Sequence, residues 1–482
     1  MQGRLLVPVS FPAMLGAEET TTPERTPMST AERIDNDPGH RPLTSELSQW
    51  LAGFSADALT PAATTWAKHA LLDWFAVTIA AQDEPLVKIL TEEYAGRGGT
   101  HVVVGQNASA HIENAVLING AASHALDYDD VNRRLNGHPT VPVAPVVLAL
   151  AEASGASGRD VIAGLVAGTE IECLVGQMAG PGHYERGFHN TATIGTFGAT
   201  GGAAQMLGLD TSQCRFALGI AASEAAGLKS NFGTMTKPLH AGKAAMNGLM
   251  AARLAARGFT SNDNIFECPM GVADVLMPGF TAGATQPSPP GYYAIEQTLF
   301  KYHAACYLTH AGIEAIKKIR AEHGIDLADL AAMELHINPG LLTVCCIPTP
   351  RTGLEIKFSI RHCAAMALDG IATGALSSYS DANATDARLG AAREKVELKL
   401  TDSMDRMATR VVIRTNDGRT LEAYHDAGIH EADVTAQGRK LREKFDALVP
   451  SVIGDARAAE IAGLIETLET QPNVTALLKA AR

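Results

Sequence analysis

Seven segments between residues 62 and 257 repeat apolar residues at three- and four-residue spacing: 62–82, 110–125, 141–155, 158–178, 192–207, 211–227 and 238–257. That is the period of a helix with a buried face. These segments are unusually rich in alanine and glycine, and the whole chain holds 45 glycines and only 5% aromatic residues. Small side chains let helix axes approach closely, so the pattern predicts a tightly packed helical body. Glycine and proline punctuate the segment ends. No series of strands and no fixed-period repeat is visible in this stretch.

The texture changes after the Pro/Gly cluster at 286–291. Residues 304–322 and 354–370 read as helices. Residues 333–337, 395–400, 410–415 and 420–424 alternate as strands do. Asn416-Asp417-Gly418 between the last two is a hairpin signal. From about 430 the pattern is helical again. The predicted fold is therefore mainly α, with a smaller α+β lid domain inserted into a large helical domain. The segments are 1–42, a disordered extension rich in Pro, Thr and Glu; 43–297, the first part of the helical domain; 298–429, the α+β domain; and 430–482, the helical return. Met28 is an alternative start.

Composition narrows the function classes. The 482 residues suit two or three domains. A net charge of −13 argues against a nucleic-acid surface. No apolar run reaches the ~20 residues of a membrane span. The seven scattered cysteines fit reduced thiols and a cytoplasmic setting. Adjacent Cys345 and Cys346 have no spaced partner pair, so a zinc knuckle is not expected.

The chemistry concentrates at predicted helix ends. Lys237 and Pro238 open the 238–257 helix. Proline favours the first helical position, so Thr236 or Lys237 is placed at the cap. There the positive end of the helix dipole disfavours an ammonium and lowers its pKa toward acid/base use. The free N–H groups of the same turn attract carboxylates. His138 and His189 precede two other helices in the same way. Convergence of the three starts would make a cradle for a polycarboxylate. His240 shares the helix face of Lys237. Tyr184, five residues before His189, is a second acid/base candidate, because a phenol beside cations loses its proton more easily.

Asp127, Asp129 and Asp130 end the 110–125 helix, where acids oppose the dipole. Either they are solvated turn residues or some act as bases or orient a neighbouring cation. A Mg²⁺ or Ca²⁺ site is a weaker alternative, since no EF-hand spacing is present. The chain has no phosphate loop, dinucleotide fingerprint, serine elbow or zinc helix motif. Acids, histidines, a lysine and a tyrosine without an evident cofactor fit proton transfer at carbon next to a carboxylate.

Together the segments 124–130, 137–139, 184–195, 233–245, 301–310 and 346–359 resemble the MmgE/PrpD family. Its members include 2-methylcitrate dehydratases, cis-aconitate decarboxylases and iminodisuccinate epimerases. The resemblance implies a helical domain completed by the C-terminal tail, an α+β lid, a cleft at their junction and a homodimer. It implies no metal and no organic cofactor. Family site positions carry onto Asp127, His138, His189 and Lys237, and the epimerases imply Tyr184 and Lys237 as a two-base pair. His240, Cys306 and Asp130 are expected as substrate contacts. Animal-type decarboxylases carry threonine where Val131 aligns and histidine where Cys306 aligns; fungal-type ones also show cysteine there.

The function expected is a cofactor-independent lyase on a small di- or tricarboxylate, by dehydration or decarboxylation. In it Lys237, His138 and His189 bind carboxylates, Tyr184 and Lys237 exchange protons, and Asp127 orients a histidine. The alternatives are an epimerase of a dicarboxylate such as iminodisuccinate and a non-catalytic helical scaffold. Partners expected are a small anionic carboxylate and a second copy of the chain, with no nucleic acid and no membrane.

Overall fold

A computed structural model describes residues 41–96, 98–280 and 288–482. The expected disordered extension lies outside these residues apart from Arg41 and Pro42, as does the first part of the Pro/Gly cluster. Helices α1 (Leu43–Gly53), α2 (Pro61–Ala80) and α3 (Pro85–Tyr94) lead to a short ribbon of β1 (His101–Val103) and β2 (Ala108–Ala110). Next come α4 (Ile112–Ala125), β3 (Val131–Asn132), α5 (Thr140–Ser154), α6 (Gly158–Glu185), α7 (Asn190–Leu207), α8 (Thr211–Glu224), α9 (Thr236–Ala256) and α10 (Val272–Leu276). Local signals set several starts. Thr60 caps α2 just before Pro61, and Ser157 and Asp210 form capping boxes on α6 and α8.

α7 is the central helix, packed against α5, α6, α8 and α9, while α9 also lies on α4. Glycine permits that approach. A Cβ on Gly242 of α9 would stand 2.2 Å from the Leu117 carbonyl oxygen of α4, and one on Gly120 would stand 2.8 Å from the Gly242 Cα. Backbone therefore meets backbone at this crossing, one turn and a half beyond Lys237. The helix α6 meets the length and apolarity of a membrane span, contrary to the sequence expectation, but nearly all of its apolar stretch is buried within the protein. It is a core helix.

Strand β4 (Thr298–Leu299) pairs antiparallel with β3. Beyond it lie α11 (His310–His323), β5 (Leu330–Ile337), α12 (Gly353–Ile356), α13 (Ile360–Asp369), α14 (Asp381–Ala384) and α15 (Ala387–Glu394). Strands β6 (Val396–Leu400), β7 (Ala408–Thr415) and β8 (Thr420–Asp426) complete a four-stranded sheet of order β6-β5-β7-β8. Only β5 and β6 are parallel. Met333, Leu335 and Ile337 alternate into the core, and α11 packs on β7 and β8.

Two expected helices differ. The first begins at His310 rather than 304, because the Ala304 and Cys306 N–H groups donate to the carbonyls of Thr373 and Lys357. The second breaks between Ile356 and Ile360, where the Ile347 N–H donates to Phe358 O and Cys346 bridges Ser359. The tail forms α16 (Val434–Leu448), α17 (Pro450–Ile453), α18 (Asp455–Glu466) and α19 (Thr475–Ala480); α16 and α18 pack on α2.

Candidate active site

The turn after α4 organises the site. Helix α4 ends at Ala125 with Leu126 as its C-cap, and Asp127 takes a left-handed φ of 51°, a conformation that aspartate tolerates better than most residues. The carbonyls of the three residues that follow α4 then face three lysines from distant parts of the chain. Lys357 Nζ donates to Leu126 O at 2.5 Å, Lys301 Nζ to Asp127 O at 2.7 Å and Lys444 Nζ to Tyr128 O at 2.7 Å. Lys444 is anchored in turn by Asp73 Oδ1 at 2.6 Å. Orphan carbonyls at a helix C-terminus favour cations, so this cage fixes the turn.

Each of the three acids has partners of its own. Asp127 Oδ1 accepts from Lys237 Nζ at 2.7 Å and from Lys301 Nζ at 3.1 Å. Burial alone would raise the Asp127 pKa, but these two ammoniums hold it well below the usual carboxylate range. Lys301, also fully buried, is raised above its ordinary value by Asp127 and Asp129 against the opposing effect of burial. Asp129 Oδ2 accepts from His124 Nδ1 at 2.8 Å. It also lies 2.7 Å from His138 Nδ1, a contact too poorly aligned for a hydrogen bond. Burial pulls His124 down to about 4, so at neutral pH it is a neutral donor. Asp130 accepts from the Thr140 N–H and Oγ1 at 3.3 and 2.5 Å and holds the start of α5.

Lys237 is the second residue of α9, after Met235 at the cap and Thr236. The helix therefore starts two residues before Pro238, earlier than proline at the first helical position predicts. Lys237 is only 7% exposed. The rings of Phe232 and Phe358 each lie 5.4 Å from its Nζ and help to exclude water. His189 precedes α7, and its Nδ1 is 3.1 Å from His240 Nδ1. Burial above all, with His124 and Lys237 as neighbours, holds His189 well below its ordinary value, so it is neutral. Tyr184 is re-aimed by a kink in α6 at Gly180, with φ 56° and ψ −170°, followed by Pro181. Lys229 Nζ sits 3.7 Å from the centroid of its ring.

Asp127, His138, Tyr184, His189, Lys237 and Cys306 all line one cavity of about 260 Å³. That is near the lower end of the ~300–1,000 Å³ of small-molecule sites. Lys301, Phe358 and Arg406 share its wall. Among the described residues, the lining lysines and arginines are Lys237, Lys301, Arg133 and Arg406, against carboxylates only from Asp127 and Asp405. The cavity is thus locally positive in a chain of net charge −13.

Four sequence expectations change. His240 does not line the cavity; it stands behind His189. Asp130 does not line it either, because its carboxylate is spent on Thr140. Asp129, not Asp127, is the carboxylate against the histidines; the nearest approach of His138 Nε2 to Asp127 Oδ1 is 3.9 Å. Tyr184 does not lose its proton more easily, since burial raises its pKa, with Cys306 adding to the rise and Arg406 opposing it. Sequence reasoning also missed Lys301, Lys357, Lys444 and Arg406. Lys301 and Lys357 fall inside the segments 301–310 and 346–359, but no spacing marks them as site residues.

One cluster has metal-ligand composition. Ligand atoms of His124, Asp127, Asp129 and His138 lie within 4.8 Å of one another. The ammoniums of Lys237 and Lys301 already occupy Asp127 Oδ1, and their charge repels a divalent cation from that spot.

Residues 45–284 match the MmgE/PrpD N-terminal domain, and residues 303–470 match the MmgE/PrpD C-terminal domain. Cis-aconitate decarboxylase of Homo sapiens is 28% identical over 391 residues, 76% of this chain and 79% of that protein. That of Mus musculus is 26% identical over 389 residues, 76% and 77%. Cis-aconitate decarboxylase of Aspergillus terreus (strain NIH 2624 / FGSC A1156) is 24% identical over 476 residues, 91% and 95%. With both domain types matched in order along most of its length, the chain belongs to the MmgE/PrpD family.

Proposed function

We propose that the protein is a cofactor-independent lyase acting on a small di- or tricarboxylate, removing CO₂ or water through proton transfer at carbon next to a carboxylate. The observation that carries this reading is the buried Lys237–Asp127–Lys301 group in the wall of a small cationic cavity that Tyr184 also lines. The decarboxylase names of the relatives support lyase chemistry on a tricarboxylate.

In this reading Lys237 and His138 receive the carboxylate beside the reacting carbon. Lys301 and Lys237 stabilise the enolate-like charge that develops there. Asp127 fixes both lysines. When the bond to the departing carboxyl group breaks, its electron pair stays on carbon and a proton is delivered to that carbon. Tyr184, protonated and buried, and Lys237 are the proton carriers. Neutral His189 and the Cys306 thiol shape the floor.

Residues 298–429 act as a lid. Cys306, Val344 and Arg406 come from that part of the chain, while Asp127, His138 and Lys237 come from 43–297, so moving one against the other would open the cleft. The packing of α16 and α18 on α2 supports grouping the tail from 430 with the helical domain. A homodimer and a cytoplasmic setting rest on the family resemblance and on the thiol reading.

An epimerase uses the same parts, one acid and one base on two sides of a carbon, and Tyr184 with Lys237 supplies such a pair. The deciding experiment incubates the full chain with cis-aconitate, 2-methylcitrate and iminodisuccinate and follows products by NMR. Net loss of CO₂ or water supports the lyase. Inversion without net loss moves the assignment to epimerase. No reaction with any of a broad carboxylate panel would favour the scaffold.

A further inference from the structure

One cationic side chain among the described residues of the cavity wall has no ion-pair partner. Lys237 and Lys301 share Asp127, and Arg133 Nη2 pairs with Asp405 Oδ2 at 2.5 Å. Arg406, the next residue, lines the same cavity from the segment between β6 and β7. It makes no hydrogen bond or ion pair among the described residues, and its Nε is closed off from solvent without a partner. Asp405, its acidic neighbour in sequence, is already taken by Arg133 and by the Met407 N–H at 2.9 Å.

The Arg406 guanidinium is held instead by shape. Its Cζ lies 5.7 Å from the Tyr184 ring centroid. On another side it rests against bare backbone, for a Cβ on Gly340 would stand 3.1 Å from its Nε. Buried polar groups without partners are uncommon, and a guanidinium offers a planar fork matched to a carboxylate. An unpaired fork fixed at the wall of a positive cavity is a receptor awaiting an anion.

We propose that Arg406 binds a second carboxylate of the substrate, away from the one held at Lys237, and thereby makes the cleft selective for di- and tricarboxylates over monocarboxylates. The inference rests on the reading of the Lys237 end as the reacting end. It adds the residue that measures the length and charge of the substrate. Arg406 comes from the proposed lid, so a substrate held at both ends also ties that segment to the helical body.

The test is calorimetric titration of the full chain with three unreactive probes: tricarballylate, glutarate and butyrate. Glutarate differs from butyrate by one carboxylate. Wild type should bind tricarballylate and glutarate about 30- to 100-fold more tightly than butyrate, the size of one charge-assisted bidentate contact. Arg406→Gln should reduce that preference to within about threefold while leaving butyrate affinity unchanged. Arg406→Glu, measured alongside in case the glutamine variant does not fold, should reverse the preference. Either folded variant retaining the wild-type preference overturns the assignment of Arg406 and leaves the proposed function standing. Wild type that binds none of the three probes refutes the carboxylate reading of the cleft itself, and this inference with it.

Discussion

Asp127→Asn removes one negative charge and almost nothing else. Asparagine accepts the left-handed φ of 51° as readily as aspartate, so the backbone term is near zero. Alanine there would add roughly 1–2 kcal/mol for that conformation. What the asparagine loses is compensation for two ammoniums, at 2.7 and 3.1 Å from Oδ1. Removing one partner of a buried ion pair costs about 3–5 kcal/mol. The amide oxygen still accepts a hydrogen bond, which retains part of this, so a net loss of about 2–4 kcal/mol is expected. One kcal/mol shifts Tm by about 2–4 °C in chains of 150–250 residues and by less in longer ones. For a chain of 482 residues the shift is about 1 °C per kcal/mol, so a fall of roughly 2–4 °C follows. The pH dependence has a definite sign. The folded pKa of Asp127 is depressed, so its contribution is complete above the unfolded value near ~3.9. It fades only as pH falls through the folded value. The difference between wild type and variant should therefore be flat from pH 7 to pH 5 in urea titrations followed by circular dichroism. A difference below about 0.5 kcal/mol, or one that shrinks steadily between pH 7 and pH 5, would refute the electrostatic account of this turn.

Other expectations are as specific. Gly242→Ala should destabilise by about 1–3 kcal/mol or more, because its Cβ meets the Leu117 carbonyl, whereas Gly463→Ala on α18, where a Cβ meets nothing within 4 Å, should stabilise by roughly 0.5–1 kcal/mol; thermal melts of the pair check the close-packing argument. Asp129→Asn should lower kcat by about tenfold or more, with KM within a few-fold, because it removes the charged acceptor of His124 and the negative charge beside His138; unchanged kcat would make Asp129 purely structural. Lys357 is held down at about 8 by burial, with Asp127 opposing, so the folded state carries fewer protons than the unfolded between pH 8 and ~10.4. Wild-type stability should therefore rise relative to Lys357→Met as pH climbs through that window, and urea titrations at pH 7.5 and 9.5 read the difference.

The helical body was legible because its signals are local. Thr60-Pro61, Ser157 with Asp160, and Asp210 with Gln213 mark helix starts within a few residues, and the apolar period does the rest. The same holds for the turn at Asn416-Asp417-Gly418, where Gly418 takes a φ of 88°. What escaped is tertiary. The break at Lys357, Phe358 and Ser359 exists because Lys357 bonds to Leu126, 231 residues away, while Phe358 and Ser359 pair with Ile347 and Cys346 of the preceding loop. The short helices α1 and α3 carry too few periods to stand out.

The candidate site divides in the same way. Lys237, His138 and His189 share a local position at helix starts, which a sequence shows. The Lys301, Lys357 and Lys444 contacts to successive carbonyls span 174, 231 and 316 residues, which no sequence pattern shows. Tyr184 illustrates a wrong sign. Cations near it were foreseeable, and Lys229 does lie on its ring, but the depth of its burial was not, and burial dominates.

The central claim is that Lys237 takes part in proton transfer at carbon next to a carboxylate. It is tested most directly by proton NMR of the full chain in D₂O with the di- and tricarboxylate panel, comparing wild type with Lys237→Ala and Lys237→Arg. Deuterium should appear at a carbon adjacent to a carboxylate in substrate or product with wild type. It should be absent with both variants, even though arginine preserves the charge, because arginine does not readily deprotonate. Melting curves of the variants report whether the fold persists. Deuterium incorporation by a folded Lys237→Ala protein at a rate near that of wild type would contradict the account.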